Sequence, residues 1–327
     1  MRFPYIDGTA TTPPQQPLEL PVPERQKQAD PAGYLLDKRL VDAINVALVL
    51  SQPLLLTGEP GTGKTQLAHR LAWELGYGEP LVFNTKSTST ARDLFYTFDA
   101  MSRFHAAHTL ERNTTNIEYI AYNALGIAIL LSNLHSGVEH LLPHGFEHDG
   151  PRRSVVLIDE IDKASRDFPN DLLHEVDAMS FRIPELGNVE VTASRAMRPI
   201  LVLTSNSEKN LPDAFLRRCI FFNIPFPDRG RLADIVQSRL PAFRDGTRAL
   251  LDTSIDFFLE LRKQNLRKPA STAELINWLQ IMVAHGARPD RPLKASPDAL
   301  ERAMSALAKT REDAEDLASF VKSYFRG

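Results

Sequence analysis

The segment "PLLLTGEPGTGKTQLA", residues 53–68, is the most informative part of the sequence about the fold. Four apolar residues run into a turn, residues 58–65, that reads GEPGTGKT and matches the phosphate-binding pattern G-x-x-x-x-G-K-[ST]. The apolar run predicts a buried strand before the turn, and the periodic apolar residues after it predict a helix. A strand, this turn and a helix in that order predict an α/β fold that binds a nucleotide.

The turn supplies the predicted nucleotide-binding residues. Glycines permit backbone angles that side chains forbid, so consecutive N–H groups can point inward at phosphates. We expect Lys64 to supply a cation for the terminal phosphates and to face solvent when no ligand is bound. Thr65 Oγ would bind Mg²⁺, and the helix that starts near Lys64 adds its positive dipole end. The predicted phosphate-binding set is Gly58, Glu59, Pro60, Gly61, Thr62, Gly63, Lys64 and Thr65. The alternative, a chance glycine-rich turn with a surface lysine, does not account for all eight positions and their flanks.

Two adjacent carboxylates follow the apolar residues of "SVVLIDEID", residues 154–162. In parallel sheets ligands bind at the carboxyl ends of the strands, so we expect Asp159 and Glu160 beside the turn. Asp159 would hold the Mg²⁺ shell, usually through water. Glu160 would polarise the attacking water, because phosphoryl transfer depends mainly on positioning and charge stabilisation. A pair of helix-capping acids at a strand end is the alternative.

The segment "PILVLTSNSEKNLPDAFLRRC", residues 199–219, adds an amide and two arginines to the candidate catalytic residues. Asn206 follows another apolar run and would orient the same water; an ordinary turn residue is the alternative. Arg217 and Arg218 follow a short apolar-periodic segment, residues 211–216. They are either surface charges or catalytic arginines, and Arg218 is the first choice for the catalytic role with Arg217 as its rival.

Apolar runs and helical patterns divide the chain into three parts. Runs without polar alternation suit strands buried on both faces of a parallel sheet covered by helices. The runs are residues 54–56, 81–83, 155–158, 200–203 and 220–222, and later helical patterns lie at 229–240, 254–264, 272–285, 297–308 and 312–325. Another helical pattern begins at Tyr34. We predict a proline-rich tail at 1–31, an α/β nucleotide-binding domain at 32–226 and a small all-helical domain at 227–327.

The composition predicts a soluble protein with no general attraction to nucleic acid. Of 327 residues, 43% are apolar and 24% are charged, and the formal net charge is −3, so we disfavour DNA as a partner. The longest apolar-looking run, residues 117–134, is interrupted by polar residues and falls short of a membrane span. The first residues show no cationic segment leading into an apolar one, so we expect no signal peptide. The single cysteine, Cys219, fits a reducing cytoplasm.

The ordered motifs resemble those of AAA+ ATPases, and their details are similar to the MoxR family. The resemblance covers residues 34–325, and its most specific stretches are "ARDLFYTFDAMSRF" (91–104), "LIDEIDKASRDFPNDLL" (157–173) and "RIPELG" (182–187). The first of these looks like the insert within the second helix that marks this branch, at about residues 85–110. The resemblance implies a P-loop NTPase sheet with strand order 5-1-4-3-2, a helical lid and hexameric rings.

The resemblance also implies site roles and partners. In ring-forming ATPases, an arginine at the location of Arg217 and Arg218 is supplied to the γ-phosphate of the neighbouring subunit. The basic residue that the family usually carries at the start of a lid helix is missing, since the aligned residue is Ala273. Arg267 or Lys268 would substitute for it, or both are solvated charges. The expected partners are ATP with Mg²⁺, further copies of the chain in a hexamer, and a client protein or a von Willebrand factor A domain adaptor.

Three functions compete. The favoured one is an ATP-hydrolysing, chaperone-like motor that remodels or activates a partner protein. The second is a nucleotide-gated oligomeric scaffold with little turnover, which the alanine at position 273 favours and the complete set of Glu160, Asn206 and arginines disfavours. The third is a DNA-acting motor, which the acidic balance and the lack of an appended DNA-binding motif disfavour. ATP is preferred over GTP because the sequence contains no guanine-reading Asn-Lys-x-Asp motif.

Overall fold

The fold is that of a computed structural model, which describes residues 16, 19, 30–108, 115–207, 211–244 and 248–326. Most of the predicted tail, residues 1–31, lies outside the described residues, as do residues 109–110 at the end of the predicted insert. Among the described residues, none of the helices combines the length and the apolar character that a membrane crossing requires.

A five-stranded parallel sheet carries the phosphate-binding turn. The strands of the described residues are β1 Leu54–Thr57, β2 Leu81–Asn84, β3 Tyr96–Phe98, β4 Ile120–Tyr122, β5 Val155–Asp159, β6 Ser180–Ile183, β7 Val189–Thr192, β8 Ile200–Thr204 and β9 Ile220–Asn223. The sheet order is β2-β5-β8-β1-β9, and all neighbouring pairs are parallel. Counted along the chain, the five sheet strands run 5-1-4-3-2, as the resemblance implied. The remaining strands form the antiparallel hairpins β3–β4 and β6–β7.

The predicted sheet is confirmed, and its central strands show why the apolar runs identified it. The residues of β1 are buried on both faces, and β5 and β8 each have only one residue that is not fully buried. The edge strands β2 and β9 alternate between half-buried and exposed residues. Parallel strands need helical crossovers that cover both faces of the sheet, so the central strands are apolar throughout.

The helices before residue 224 flank this sheet. They are α1 Lys38–Leu50, α2 Lys64–Glu74, α3 Ala100–His108, α4 Ala124–Leu131, α5 His135–Val138, α6 Phe168–Asp171, α7 Leu173–Ala178 and α8 Asp213–Leu216. Helix α1 begins at Lys38, not at Tyr34 as predicted, because Asp37 caps it: Asp37 Oδ1 accepts a 2.9 Å hydrogen bond from the Arg39 N–H.

The C-terminal part of the chain is helical, as predicted. Its helices are α9 Arg229–Arg239, α10 Ala249–Arg262, α11 Thr272–Ala284, α12 Pro297–Ala303 and α13 Arg311–Arg326. They enclose their own apolar core, in which the rings of Phe257 and Trp278 stack with centroids 5.5 Å apart. Both residues are at most 1% exposed, so this part has enough buried apolar surface for a core of its own.

The chain divides into two compact units. One comprises Leu36–Gly58 and Gly63–Ile224, and the other comprises the described residues up to Leu35, the short segment Glu59–Thr62 and the chain from Pro225 onward. The phosphate-binding turn therefore contributes residues to both units. The domain boundaries at residues 31 and 226 stay a prediction.

Candidate functional site

Three neighbouring strands bring the predicted site residues together at their carboxyl ends, which form one edge of the sheet. The turn of residues 58–65 follows β1, Asp159 ends β5, and Asn206 lies two residues beyond the end of β8. Because β8 lies between β1 and β5, its end stands between the turn and the acid. Lys64 and Asn206, 142 positions apart in the sequence, are thereby brought into contact.

The turn needs its glycines. Gly61 and Gly63 have φ angles of +76° and +88°, in the left-handed region that disfavours side chains. A Cβ atom on Gly61 would also lie 2.5 Å from Ser271 Oγ, so any larger residue would force a shift there. Helix α2 starts at Lys64, directly after these glycines. Its first N–H groups, which cannot bond to a carbonyl within the helix, and its positive dipole end therefore belong to the turn, which favours phosphate binding.

The side chain of Lys64 is folded into the protein. Lys64 is only 7% exposed, and its Nζ donates hydrogen bonds to Gly58 O at 2.7 Å and to Asn206 Oδ1 at 3.0 Å. Burial lowers the pKa of Lys64, and the nearby carboxylates, of which Asp162 has the largest effect, oppose that shift. The prediction of a solvent-facing lysine is wrong, because a carbonyl and an amide oxygen offer the acceptors that a buried ammonium group needs.

Thr65 and Asp159, the two predicted Mg²⁺ ligands, lie in contact. Thr65 Oγ1 is a hydrogen-bond donor 3.0 Å from Asp159 Oδ1 and 3.2 Å from Oδ2. Hydroxyl and carboxylate oxygens are the hard ligands that suit Mg²⁺, which is usually held by one or two protein oxygens together with waters and phosphate oxygens. The donor set of this pair therefore fits the predicted metal.

Glu160 has a left-handed backbone, with φ +55°, which is uncommon for a residue with a side chain. Such conformations are concentrated at functional sites, where the surrounding structure holds them. Its carboxylate forms an ion pair with Lys163 Nζ, and its Oε1 lies 3.4 Å from Asn206 Nδ2. Since Asn206 also accepts from Lys64, this amide links the predicted phosphate-binding cation to the predicted catalytic acid.

Two residues of this edge were not identified from the sequence. Thr204 ends β8, and its hydroxyl contacts both Asp159 and Glu160. Lys163 lies one short turn after Glu160, and the pairing with Glu160 raises the pKa of Lys163. The three-residue spacing of Lys163 from Glu160 was a usable signal, whereas a threonine at the end of an apolar strand carried none.

The two candidate arginines lie at the amino ends of the strands, on the side of the sheet opposite to the phosphate-binding turn. They precede β9, which pairs in parallel with β1 so that Ile220 is beside Leu54. The four residues of β9 span ~13 Å, and the phosphate-binding turn follows the far end of β1. The structure therefore does not bring Arg217 and Arg218 to the acids and amide of the same chain.

The unit that holds residues 59–62 shows where the other basic candidates lie. A Cβ on Gly61 would be 3.8 Å from the Cβ of Ala273, so the missing basic residue would have stood beside the turn. Arg267 instead pairs with Glu312, Nε to Oε2 at 2.5 Å.

A different arginine reaches the turn. Arg262 Nη2 donates to Glu59 Oε2 at 2.7 Å, and the guanidinium lies over the Phe226 ring, 3.6 Å from its centroid. No local pattern indicates this role, since Arg262 resembles an ordinary basic residue at the end of a helix.

Comparison with known proteins identifies the domain. A sequence profile described as AAA domain (dynein-related subfamily) matches residues 53–219, just over half of the chain. A search of curated protein sequences finds no significant match.

A comparison with solved structures finds the RuvB protein of Thermotoga maritima among its matches. A proline-to-glycine mutant is 17% identical and covers 82% of this chain and 68% of its own, with a TM-score of 0.46. An arginine-to-alanine mutant is 17% identical and covers 89% and 76%, with a TM-score of 0.45. The form described as a Holliday junction branch migration motor is 16% identical and covers 82% and 67%, with a TM-score of 0.42.

The sheet order, the P-loop and the profile match agree, and the predicted P-loop NTPase fold is confirmed. Domains of this class generally bind and hydrolyse a nucleotide. The chain belongs to the AAA domain family, in its dynein-related subfamily.

Proposed function

We propose that this chain is an ATP-hydrolysing motor of the MoxR type that remodels or activates a partner protein in the manner of a chaperone. A von Willebrand factor A domain adaptor would connect it to that partner. The observation that supports hydrolysis most directly is the linked set of Lys64, Asn206 and Glu160 at one edge of the sheet. A cation, a neutral amide and a carboxylate in contact are the groups that hold a phosphate and a water in line.

ATP would bind with its terminal phosphates at residues 58–65. Lys64 Nζ, which donates to Gly58 O and Asn206 Oδ1, would exchange these neutral acceptors for charged phosphate oxygens, and charge-assisted hydrogen bonds are the stronger ones. Thr65 and Asp159 would hold Mg²⁺, which when bound neutralises charge on the β- and γ-phosphates. Both ligands are supplied by this chain and are already in contact.

Glu160 would accept a hydrogen bond from the attacking water and draw its proton away as the water oxygen bonds to the γ-phosphorus. The bond from that phosphorus to the β,γ-bridging oxygen breaks in the same displacement, and ADP leaves. Asn206, whose amide nitrogen lies 3.4 Å from Glu160 Oε1, would hold that water in line. The ion pair between Glu160 and Lys163 has to open before the carboxylate can face a water.

We further propose that the chain works as a ring of identical subunits, a hexamer. Arg217 and Arg218 lie at the opposite ends of the strands from the chain's own phosphate-binding turn, which supports the proposal that they serve a second copy rather than the same chain. In such a ring each site would consist of the phosphate-binding turn of one subunit and an arginine of the next subunit.

A nucleotide-gated scaffold with little turnover is the second candidate. The pairing of Glu160 with Lys163 favours it, because a carboxylate engaged by a lysine is not available to polarise water. ATP binding would then drive assembly without appreciable hydrolysis.

A phosphate-release assay on the purified protein with ATP and Mg²⁺ separates the two candidates. A motor releases phosphate continuously, whereas a scaffold binds ATP, as calorimetry would show, and releases almost none. The partner is tested with a purified von Willebrand factor A domain protein. Nucleotide-dependent complex formation supports the MoxR assignment, and no complex in any nucleotide state would contradict it.

A further inference from the structure

Thr204 lies between the phosphate-binding turn and the acids Asp159 and Glu160. It is the last residue of β8, the strand between β1 and β5, and it is fully buried. In the register of the sheet it lies beside Leu56, two positions before the phosphate-binding turn. On its other side, Leu203 pairs with Ile158, the residue before the acid Asp159.

A single hydroxyl group at this point contacts both acids. Thr204 Oγ1 donates a 2.5 Å hydrogen bond to Asp159 Oδ1 and accepts a 2.8 Å hydrogen bond from the Glu160 N–H. A threonine hydroxyl has one hydrogen to donate and can accept at the same oxygen, so both contacts are satisfied together. Oδ1 of Asp159 also accepts from Thr65.

These contacts fix two different features. The bond to Asp159 holds the carboxylate in the orientation that meets Thr65, independently of the Thr65 hydroxyl itself. The bond from Glu160 helps hold a backbone with φ +55°, which a residue with a side chain does not favour. Without the hydroxyl, the partly buried Glu160 N–H and the Asp159 carboxylate would each lose a hydrogen-bond partner that a methyl group cannot replace.

We propose that Thr204 is a positioning residue whose hydroxyl orients Asp159 toward Mg²⁺ and holds the Glu160 backbone so that its side chain meets the attacking water. The inference rests on the proposed ATPase function. It assigns no direct contact between Thr204 and the nucleotide. Groups that orient metal ligands from behind typically change metal affinity or activity about 10–100-fold when removed.

Two substitutions separate the hydroxyl from the bulk of the side chain. Thr204→Val keeps the shape and removes the hydroxyl; Thr204→Ser keeps the hydroxyl and removes a methyl group. We expect Thr204→Val to lower kcat about 10–100-fold. The Mg²⁺ concentration at which the Mg²⁺-dependent gain in ATP affinity reaches half of its maximum should rise by a similar factor. Its ATP affinity in EDTA should match that of the wild type, since the turn and Lys64 are intact. Thr204→Ser should retain wild-type values.

Thr272→Val is the matched control, because Thr272 is buried and its hydroxyl has no hydrogen-bond partner in the part of the chain that the structure describes. Calorimetric ATP titrations at several Mg²⁺ concentrations give the binding readout, and phosphate release gives kcat.

Three results would overturn the proposal: a Thr204→Val protein with wild-type Mg²⁺ dependence and kcat, equal losses in the Val and Ser variants, or loss of ATP affinity in EDTA as well. The last two would mark a packing role. A wild-type protein that neither binds nor hydrolyses ATP would refute the proposed function instead, so the two failures are distinguishable.

Discussion

Arg218 and Asp177 form an ion pair in which Arg218 Nε donates a 2.8 Å hydrogen bond to Asp177 Oδ2. Arg218 Nη1 also donates to Ala214 O at 3.0 Å. A guanidinium has five N–H donors, and within the described residues two of them are used. Arg218 is thus held in one orientation with donors left for an anion, whereas the exposed Arg217 makes no side-chain hydrogen bond or ion pair with the described residues.

This arrangement keeps Arg218 as the first choice for the arginine supplied to a neighbouring subunit. We expect Arg218→Ala to bind ATP normally and to lose roughly 10³–10⁵ in kcat, because the transition-state charge is then only partly neutralised. Arg217→Ala is the matched control and should lose far less. Phosphate release measures kcat, and calorimetry measures ATP binding.

Mixing subunits tests whether the arginine acts across an interface. Arg218→Ala subunits keep an intact turn, and Lys64→Ala subunits keep an intact Arg218, so some mixed interfaces combine both. Hydrolysis should partly return in the mixture although each variant alone is inactive. A mixture that exchanges subunits, shown with labelled protein, but stays inactive would leave Arg218 as a structural charge. If instead Arg217→Ala is inactive alone and regains hydrolysis when it is mixed with Lys64→Ala, the role belongs to Arg217.

Glu160→Gln should separate binding from hydrolysis. The amide keeps the size of the side chain but cannot draw a proton from water, so we expect kcat to fall by about 10²–10⁴ while ATP affinity stays near that of the wild type. Glu190→Gln, the same change at an exposed acid paired with Arg182 in the β6–β7 hairpin, is the control. Near-native turnover in the Glu160 variant would assign the water-polarising role to another residue.

Lys64→Ala should weaken nucleotide binding. Its loss removes a charge-assisted hydrogen bond to phosphate, so we expect ATP affinity to fall by roughly 10–100-fold. The fold should survive, since the acceptors left behind, Gly58 O and Asn206 Oδ1, lie at the edge of the sheet, and circular dichroism checks this. Lys263→Ala, at an exposed lysine paired with Glu260, is the control. Unchanged ATP binding by a folded Lys64 variant would contradict the assignment of the turn.

Lys163→Met tests whether the ion pair with Glu160 restrains hydrolysis. Without the lysine, no ion pair has to open before Glu160 can bind the attacking water. Because the pair is exposed and therefore weak, we expect kcat to rise only about two- to fivefold. Lys163→Arg, which keeps the charge, should show no such rise. A fall in kcat for the methionine variant would show that Lys163 supports the reaction.

Assembly should depend on the nucleotide. If each site is completed by a neighbour's arginine, ATP with Mg²⁺ binds the ring better than the single subunit and shifts the equilibrium toward it. Sedimentation velocity of the Glu160→Gln protein, which holds ATP without hydrolysing it, should show the larger species with ATP and less of it without nucleotide. A protein that stays monomeric at micromolar concentration in every nucleotide state would contradict the ring.

Local patterns in the sequence were sufficient to predict the P-loop, the sheet strands and the acids and amide that follow them. The P-loop could be identified because glycines, a lysine and a threonine are needed at set spacings, and the three central sheet strands because buried parallel strands are apolar on both faces. The edge strands β2 and β9 were identified by their apolar runs, although every second residue of each is exposed. Asp159, Glu160 and Asn206 were identified because each follows such a strand. The strand order came from the family resemblance, which the tertiary structure confirms.

Tertiary structure decided what depends on register between distant strands. Thr204 and Asp159 are 45 positions apart, and their contact exists only because β8 and β5 pair in one alignment. The burial of Lys64 likewise depends on Asn206, which arrives from another strand. The ends of parallel strands meet whatever the length of chain between them, so no local pattern records which side chains will face each other there.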